Sequence, residues 1–173
     1  MKKFIYILLF LFSLQYIFSQ NDDYLKFYNE IHNQNDFCSP VDGVIVFIDN
    51  CNFGFGYKLN IHNNEIVFSD SSIIAGNENQ NIYSICDGEI IFIEILYNSC
   101  VFLIIKNSYY EIEYVGLNIN EYLKIGDTIK KGQLLGQFYF LVGSELLLRI
   151  KYKDNYFDPY LVLPGRKIRI DYK

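Results

Sequence analysis

Short apolar runs separated by turn residues dominate the sequence from Phe37 onward. Five of them, GVIVFI, GEIIFIEILY, CVFLIIKN, YYEIEYV and ELLLRIKY, are rich in β-branched and aromatic residues, as is typical of β-strands. Asp-Gly, Asn and Gly turns separate the runs, and no connection has the 3.6-residue period of a helix. The pattern predicts an all-β domain, a small sandwich or barrel without parallel sheets.

Alternation of apolar and polar residues in ELLLRIKY and in the final segment of the chain predicts which side chains share a face. In ELLLRIKY, a period of two places Leu146 and Leu148 on one face and Glu145 and Leu147 on the other. The final segment, residues 164–173, alternates charged with apolar residues. We therefore expect it to be a C-terminal edge strand or tail with one face in water.

Glycines punctuate the segment KIGDTIKKGQLLGQF, residues 124–138. A tightly wound β-domain needs residues that tolerate positive φ wherever the chain reverses. We therefore predict strand reversals at Gly126 and Gly132.

The chain also contains an internal echo. SPVDGVIVFID, residues 39–49, and SICDGEIIFIE, residues 84–94, share Ser, Asp-Gly, Ile, Phe and Ile in register. The echo predicts a structural duplication. The alternative is coincidence between two Asp-Gly hairpins, whose turn chemistry constrains sequence strongly.

The first residues are typical of a targeting segment. Lys2 and Lys3 precede a long apolar run that ends in polar SQNDD, so residues 1–20 are interpreted as a secretory signal peptide, with an uncleaved anchor as the alternative. Residues 21–36 form a polar lead-in and residues 37–163 the β domain. The expected location is therefore secreted or periplasmic, in a bacterial cell envelope, without a stable membrane span after signal cleavage.

Length and charge narrow the possible partners. The 173 residues, 51% of them hydrophobic, suit one domain with a substantial core. The net charge is −5, and it becomes −7 once Lys2 and Lys3 are removed with the signal. Because an anionic surface repels phosphates and no basic stripe offsets it, nucleic acid is not an expected partner.

Four cysteines, Cys38, Cys51, Cys86 and Cys100, are candidates for disulfides in an exported chain. The local pairs Cys38 with Cys51 and Cys86 with Cys100 would each close a loop of hairpin size, and we favour Cys86 with Cys100. The alternative is buried free thiols on strands. No CxxC spacing is present, which disfavours a cysteine zinc site.

The segments between Ile82 and Leu163 resemble, in order and spacing, the LytM-like domain of M23 metallopeptidases. IYSICDGEI, CVFLIIKN, YEIEYVGLNI, YLKIGDTIKKGQLLG and ELLLRIKYKDNYFDPYLVL carry the resemblance. The family has a strand before Asp-Gly, a Tyr-x-His-Leu strand, Gly-Asp and Gly-Gln turns, a His-x-His strand and an Asp-Pro before the last strand. The resemblance implies that family's barrel-sandwich hybrid fold, a duplicated hybrid motif, and zinc as the family's cofactor.

The histidines that the family mechanism requires are missing. Only His32 and His62 occur, whereas the family uses four. The position of the Tyr-x-His-Leu histidine is Gly116, and the His-x-His strand reads Glu145-Leu146-Leu147. Since Leu147 cannot bind a metal, the resemblance implies that a zinc ligand and a catalytic imidazole are both absent.

The first metal motif is incomplete in either alignment. If His62 matches the first ligand, the partner aspartate position falls on Ile66; if Asp70 matches the aspartate, the histidine position falls on Ile66. Combining His62, Asp70 and Glu145 with Glu65 around a hard cation is possible on paper, but no spacing among them favours it. We expect no zinc, no other cofactor and no catalytic residue.

The resemblance then implies a secreted domain that binds in the former groove, with His62, Asp70, Tyr114, Glu145 and Tyr160 as binding residues. Peptidoglycan or a partner cell-wall hydrolase is the expected partner. One alternative is an active M23 zinc metalloendopeptidase with an atypical site, cleaving peptidoglycan cross-links. Another is a purely structural envelope component, which would lack a concave polar cleft beside Tyr114, Glu145 and Tyr160.

Overall fold

The computed structural model describes residues 36–50, 54–60, 65–96, 100–119, 122–139 and 144–172. The predicted signal peptide, nearly all of the lead-in segment, Cys51 and His62 lie outside these residues. None of the helical residues that the structure describes belongs to a helix long and apolar enough to cross a membrane.

All but one of the secondary-structure elements in the described residues are strands, so the prediction of an all-β domain is confirmed. The elements, in chain order, are β1 (Ile45–Asn50), β2 (Gly56–Asn60), β3 (Glu65–Ser69), β4 (Ser72–Ala75), β5 (Asn81–Tyr83), β6 (Gly88–Ile95), β7 (Val101–Lys106), β8 (Tyr110–Ile119), β9 (Thr128–Ile129), β10 (Leu134–Phe138), β11 (Glu145–Tyr152), β12 (Asn155–Phe157), α1 (Pro159–Val162) and β13 (Lys167–Tyr172).

One mixed sheet contains all the strands except β2 and β3, which pair only with each other. Its main order is β13-β1-β4-β11-β8-β7-β6-β9; β10 joins β5 and β8, and β12 joins β11. The pairing of β1 with β13 is parallel, so the expectation of no parallel pairing is wrong at this edge. The connection through α1 carries the chain across to the free side of β1, and such a crossover permits parallel pairing where a tight hairpin does not.

The core lies on one face of the central strands. Leu146, Leu148 and Ile150 of β11 are fully buried, whereas Glu145 and Leu147, which alternate with them, are partly exposed, and this confirms the predicted alternation. Burial of each such leucine or isoleucine contributes about 1.5–3 kcal/mol, so this period of two fixes the register of β11.

The two glycines predicted at strand reversals adopt positive φ, 92° at Gly126 and 78° at Gly132. Each also connects its turn to a distant segment by a backbone hydrogen bond. The Gly126 N–H donates to the Ile90 carbonyl at 2.8 Å, and the Gly132 N–H donates to the Ser84 carbonyl at 2.8 Å. These two glycines therefore have a structural role, because they allow the chain to reverse.

The internal echo in the sequence corresponds to matched hydrogen bonds. The hydroxyls of Ser39 and Ser84 each donate to the carbonyl two residues onward, at 2.5 and 2.7 Å. The backbones of the two segments also meet reciprocally: Cys38 N–H donates to the Ile85 carbonyl and Tyr83 N–H to the Pro40 carbonyl, both at 2.8 Å. The hydrogen bonds of the two segments therefore match in the register of the echo, as expected for a structural duplication.

The favoured disulfide is not formed. Cys38, Cys86 and Cys100 are all free thiols. Cys86 lies just before the start of β6, whereas Cys100 lies just beyond the end of β6. There the Leu96 N–H donates to the Cys100 carbonyl at 2.7 Å. The length of β6 separates the two cysteines by at least about 20 Å, and a disulfide tolerates only about 4.4–6.8 Å between Cα atoms. The partner proposed for Cys38, Cys51, lies outside the described residues.

Candidate functional site

The face of the sheet opposite the core is the candidate site, and we call it the outer face. It carries Glu145, Leu147, Arg149 and Lys151 of β11 together with the alternating residues of β8 beside them. The register of the strands arranges these side chains in rows that run across the sheet. The rows differ sharply in chemistry.

The middle row of the outer face is entirely apolar. Phe102 of β7 pairs with Val115 of β8, Val115 with Leu147 of β11, and Leu147 with Ile73 of β4. Phe102, Val115 and Leu147 are partly exposed and Ile73 is buried, and none of these four residues on four adjacent strands has a side-chain oxygen, nitrogen or sulfur. Leu147, the residue aligned with a zinc ligand of the M23 family, therefore has hydrocarbon neighbours on both sides.

Next to the apolar row lies a charged network centred on Arg149. The Arg149 Nε donates to Asp70 Oδ1 at 2.8 Å, and its Nη1 donates to Glu113 Oε2 at 3.0 Å. Glu113 is buried, and the Tyr156 hydroxyl lies 3.5 Å from its second oxygen. Burial, followed by the charge of Glu113, raises the pKa of Tyr156, so this hydroxyl remains a neutral donor. One guanidinium thus compensates two carboxylates.

The outermost row is a ladder of alternating charge. Glu111 of β8 pairs with Lys106 of β7 on one side and with Lys151 of β11 on the other. The Lys106 Nζ donates to Glu111 Oε1 at 2.6 Å. This hydrogen bond, with the charges of Lys106 and Lys151, holds the pKa of Glu111 below its usual range despite partial burial.

At the opposite end of the outer face, β8 leaves β11 and continues alongside β10. Gly116 marks this fork, with φ at 106°. A Cβ at this position would collide with the backbone carbonyl oxygen of Glu145. The residue aligned with a catalytic histidine is therefore one whose backbone excludes any side chain.

Tyr114, one of the predicted binding residues, does not lie on the outer face. It is fully buried on the core face of β8. Its hydroxyl oxygen accepts a hydrogen bond from the Ile85 N–H at 2.9 Å, which joins β8 to the Ser84–Cys86 segment. Burial raises the pKa of Tyr114 well above its ordinary value. The hydroxyl is structural.

Tyr160 also lies away from the outer face. Its ring contacts Phe47, a core residue, at 5.1 Å between centroids, and the Arg169 guanidinium lies 4.3 Å from its centroid. Tyr160 thus packs α1 against β1 and β13. Tyr114, Tyr160 and Glu145 do not line one cleft, because the strand period places Glu145 on the face opposite the core.

The two predicted carboxylates are on the outer face but apart. Asp70 is bound to Arg149, and Glu145 lies four residues before Arg149 on the same strand, which corresponds to about 13 Å. His62, the fifth predicted residue, lies outside the described residues.

These residues do not fit a zinc ion. In the part of the chain that the structure describes, no three histidine, cysteine, aspartate or glutamate side chains are grouped so that they could hold a metal. Asp70 is already paired with a guanidinium, and Leu147 lies in the apolar row. A tetrahedral zinc site needs three protein ligands plus an open position, and this donor set supplies no such group.

Sequence reasoning missed the two charged rows. The signal was present, because a strand period of two also places Arg149 and Lys151 on the face of Glu145, and it aligns Glu111 and Glu113 in YEIEYV. The register between β8 and β11 was not readable from the sequence. Without that register, the two pairs of charges could not be placed beside each other.

No protein-family model matches the sequence, and no curated protein matches it. Several solved structures resemble the fold. Csd3 of Helicobacter pylori has a TM-score of 0.59 at 17% identity, over 78% of this chain and 36% of Csd3. A zinc containing peptidase from Vibrio cholerae has a TM-score of 0.56 at 21% identity, over 76% of this chain and 40% of the peptidase.

A chain from the SpoIIIAH and SpoIIQ complex has a TM-score of 0.54 at 13% identity, over 72% of this chain and 98% of its own length. This chain therefore spans little more than a third of Csd3 and of the Vibrio peptidase, and almost all of the chain from the complex. Identities this low establish the fold alone, and that fold is of the M23, or LytM, type.

Proposed function

We propose that this chain is an exported, non-catalytic domain of the M23 type that binds a component of the cell envelope. The main support for this proposal is the apolar row of the outer face. It occupies the part of the sheet where the family resemblance places a metal ligand, and it consists of Phe102, Val115, Leu147 and Ile73. Hydrocarbon side chains can contact a ligand but cannot hold zinc or activate water.

The backbone at Gly116 supports the same proposal. A catalytic imidazole at this position would require β8 and β11 to separate, because even a Cβ meets the Glu145 carbonyl oxygen. The loss of catalysis is then a property of how the two strands pack, and a single substitution would not reverse it.

The proposed partner is peptidoglycan, with a cell-wall hydrolase as the alternative partner. The similarity to a chain from a complex of two proteins, SpoIIIAH and SpoIIQ, supports a protein partner for this fold. The apolar row, with two charged rows on one side of it, gives the outer face the mixed character of a binding surface.

The test of the binding role is a pair of pull-downs, on isolated peptidoglycan and from envelope extract. We expect retention on peptidoglycan and its loss in Leu147→Arg, which places a charge within the apolar row. Leu134→Arg, at an exposed leucine of β10, is the matched control and should bind as the wild type does. Retention of a hydrolase from the extract without retention on peptidoglycan would select the alternative partner. If Leu134→Arg is as defective as Leu147→Arg, the outer face is not the site.

The second candidate function is an active zinc endopeptidase, which the similarity to the zinc containing peptidase from Vibrio cholerae favours. Metal analysis after purification without chelator, followed by digestion of cross-linked peptidoglycan with added zinc, separates the two functions. We expect neither stoichiometric zinc nor cleavage. Stoichiometric zinc with cleavage that disappears in Glu145→Ala would establish the peptidase and overturn the non-catalytic proposal.

A further inference from the structure

A second candidate site lies where two hairpin turns meet at the charged end of the outer face. The turn between β7 and β8 and the turn between β11 and β12 lie side by side, because β8 pairs with β11 as far as Tyr110 and Tyr152. Between them is a cleft of about 320 Å³, lined by Lys106, Asn107, Ser108, Tyr109, Tyr110, Glu111, Lys151, Lys153 and Asp154. This volume is within the range of small-ligand sites.

The cleft is a positive region on an acidic chain. Three lysines and two carboxylates line it, which leaves a net charge of +1, whereas the whole sequence carries −5. Glu111 is hydrogen-bonded to Lys106, so it compensates that lysine first. Lys151 and Lys153 then face the single carboxylate of Asp154, and the remaining positive charge can attract an anion.

One wall of the cleft is rigidly built. The Asn107 side-chain oxygen accepts from the Tyr109 N–H at 2.8 Å and the Tyr110 N–H at 2.9 Å, and its amide donates to the Asp87 carbonyl at 3.0 Å. This Asx turn holds the Tyr109 ring at the surface, 61% exposed. An exposed ring on a fixed turn provides a flat apolar contact at low entropic cost.

The other wall carries a lysine in an unfavourable backbone conformation. Lys153 has φ of 54° in the two-residue turn between β11 and β12. Glycine and asparagine are the residues favoured at such a position, and a lysine there costs stability. Its side chain lines the cleft, and its Nζ lies 5.0 Å from the centroid of the Tyr152 ring.

We propose that this cleft binds a carboxylate group of a sugar or peptide polymer, with Lys151 and Lys153 contacting the anion and Tyr109 packing against the unit that carries it. The inference goes beyond the envelope-binding role proposed for the apolar row, because it concerns a separate site and different residues. It holds or fails independently of zinc and of catalysis.

The test is a binding titration of the full chain with three polymers: polygalacturonate, whose carboxylates are on sugars, poly-L-glutamate, whose carboxylates are on a peptide, and uncharged dextran. We expect binding to at least one of the two anionic polymers and none to dextran. Binding to polygalacturonate alone assigns the cleft to anionic sugars, and binding to poly-L-glutamate alone assigns it to acidic peptides. Equal binding to dextran, or no binding to either anionic polymer, would overturn the proposal.

Three single-charge variants locate the site. Lys153→Asn removes the charge while suiting the positive φ, so it should fold at least as stably as the wild type and bind the polymer about fivefold more weakly. Lys151→Gln should weaken binding similarly. Lys130→Gln, at an exposed lysine outside the cleft, is the matched control and should leave the affinity unchanged. If Lys130→Gln weakens binding as much as Lys153→Asn, the attraction is to overall charge and the cleft is not a site.

Discussion

At the scale of single residues, Gly116 is the position where the backbone most directly excludes a catalytic side chain. Its φ of 106° lies in a region that favours glycine, and its α-carbon faces the carbonyl oxygen of Glu145 on the next strand. Two separate constraints, conformation and contact, therefore act on one position. A residue with a side chain would violate both.

We predict that Gly116→Ala lowers the free energy of unfolding by about 2–4 kcal/mol, because the new methyl group meets backbone that cannot move without parting β8 from β11. Gly126→Ala is the control. Its φ of 92° also favours glycine, but the space around it is open, so only conformational strain of about 1–2 kcal/mol should appear. Urea denaturation of both variants measures the difference. Equal losses would show that the contact with the Glu145 carbonyl is unimportant.

At the scale of elements, Asp158 joins three parts of the domain. One side-chain oxygen accepts from the Tyr160 N–H at 2.9 Å, which caps α1, and from the Ser72 hydroxyl of β4 at 3.2 Å. The other accepts from Arg169 of β13 at 3.2 Å. The carboxylate is buried, so these partners replace the water it has lost.

We predict that Asp158→Ala destabilises the protein by about 2–4 kcal/mol, since it removes a helix cap, leaves the buried Ser72 hydroxyl without its acceptor and takes from Arg169 one of its two carboxylate partners. The matched control is Asp154→Ala, an exposed carboxylate in the β11–β12 turn, which should change stability by about 0.5 kcal/mol or less. Thermal unfolding followed by circular dichroism provides the comparison. A variant of Asp158 as stable as the wild type would mean that the capping network contributes little.

At the scale of the whole molecule, the sequence predicted those features that depend on local pattern. The strand content, the buried face of ELLLRIKY and the reversals at Gly126 and Gly132 follow from periodicity and turn chemistry, and all are confirmed. Predictions of features that depend on long-range strand pairing were missing or wrong, because the register between distant strands cannot be deduced from a single sequence.

Three errors share this cause. The cysteine pairing assumed that Cys86 and Cys100 lie at the same end of a hairpin, although they lie at opposite ends. The predicted binding groove included Tyr114, although this side chain is fully buried on the core face of β8. Parallel pairing of β13 with β1 depends on where the α1 connection leads, which local pattern does not reveal.

Proton linkage of the whole molecule gives a further prediction, because several buried groups hold their protons more tightly than in an unfolded chain. Burial, followed by the charge of Asp87, raises the pKa of Cys86 from 9.0 to about 12. Burial likewise raises the pKa of Tyr114, and it raises that of Tyr110 together with the hydrogen bond to Asp36. All three shifts have the same sign.

Between pH 9 and pH 12 the unfolded chain releases the Cys86 proton and the folded chain keeps it, so the unfolded state binds fewer protons and stability must fall as pH rises. The contribution of Cys86 is complete below pH 9. We expect the folded protein to lose roughly 1 kcal/mol of stability by pH 10 through Cys86, with the tyrosines adding to the slope above that pH.

Urea denaturation across pH 7–10.5 measures the dependence of the free energy of unfolding on pH. Cys86→Ala should reduce the slope between pH 9 and 10 but leave part of it, because burial also raises the pKa of Cys38 and that of Cys100. Ile85→Val, a comparable loss of buried volume beside Cys86, should lower the curve without changing its slope. Parallel curves for Cys86→Ala and wild type would show that the thiol is no more protonated in the folded domain than in the unfolded chain.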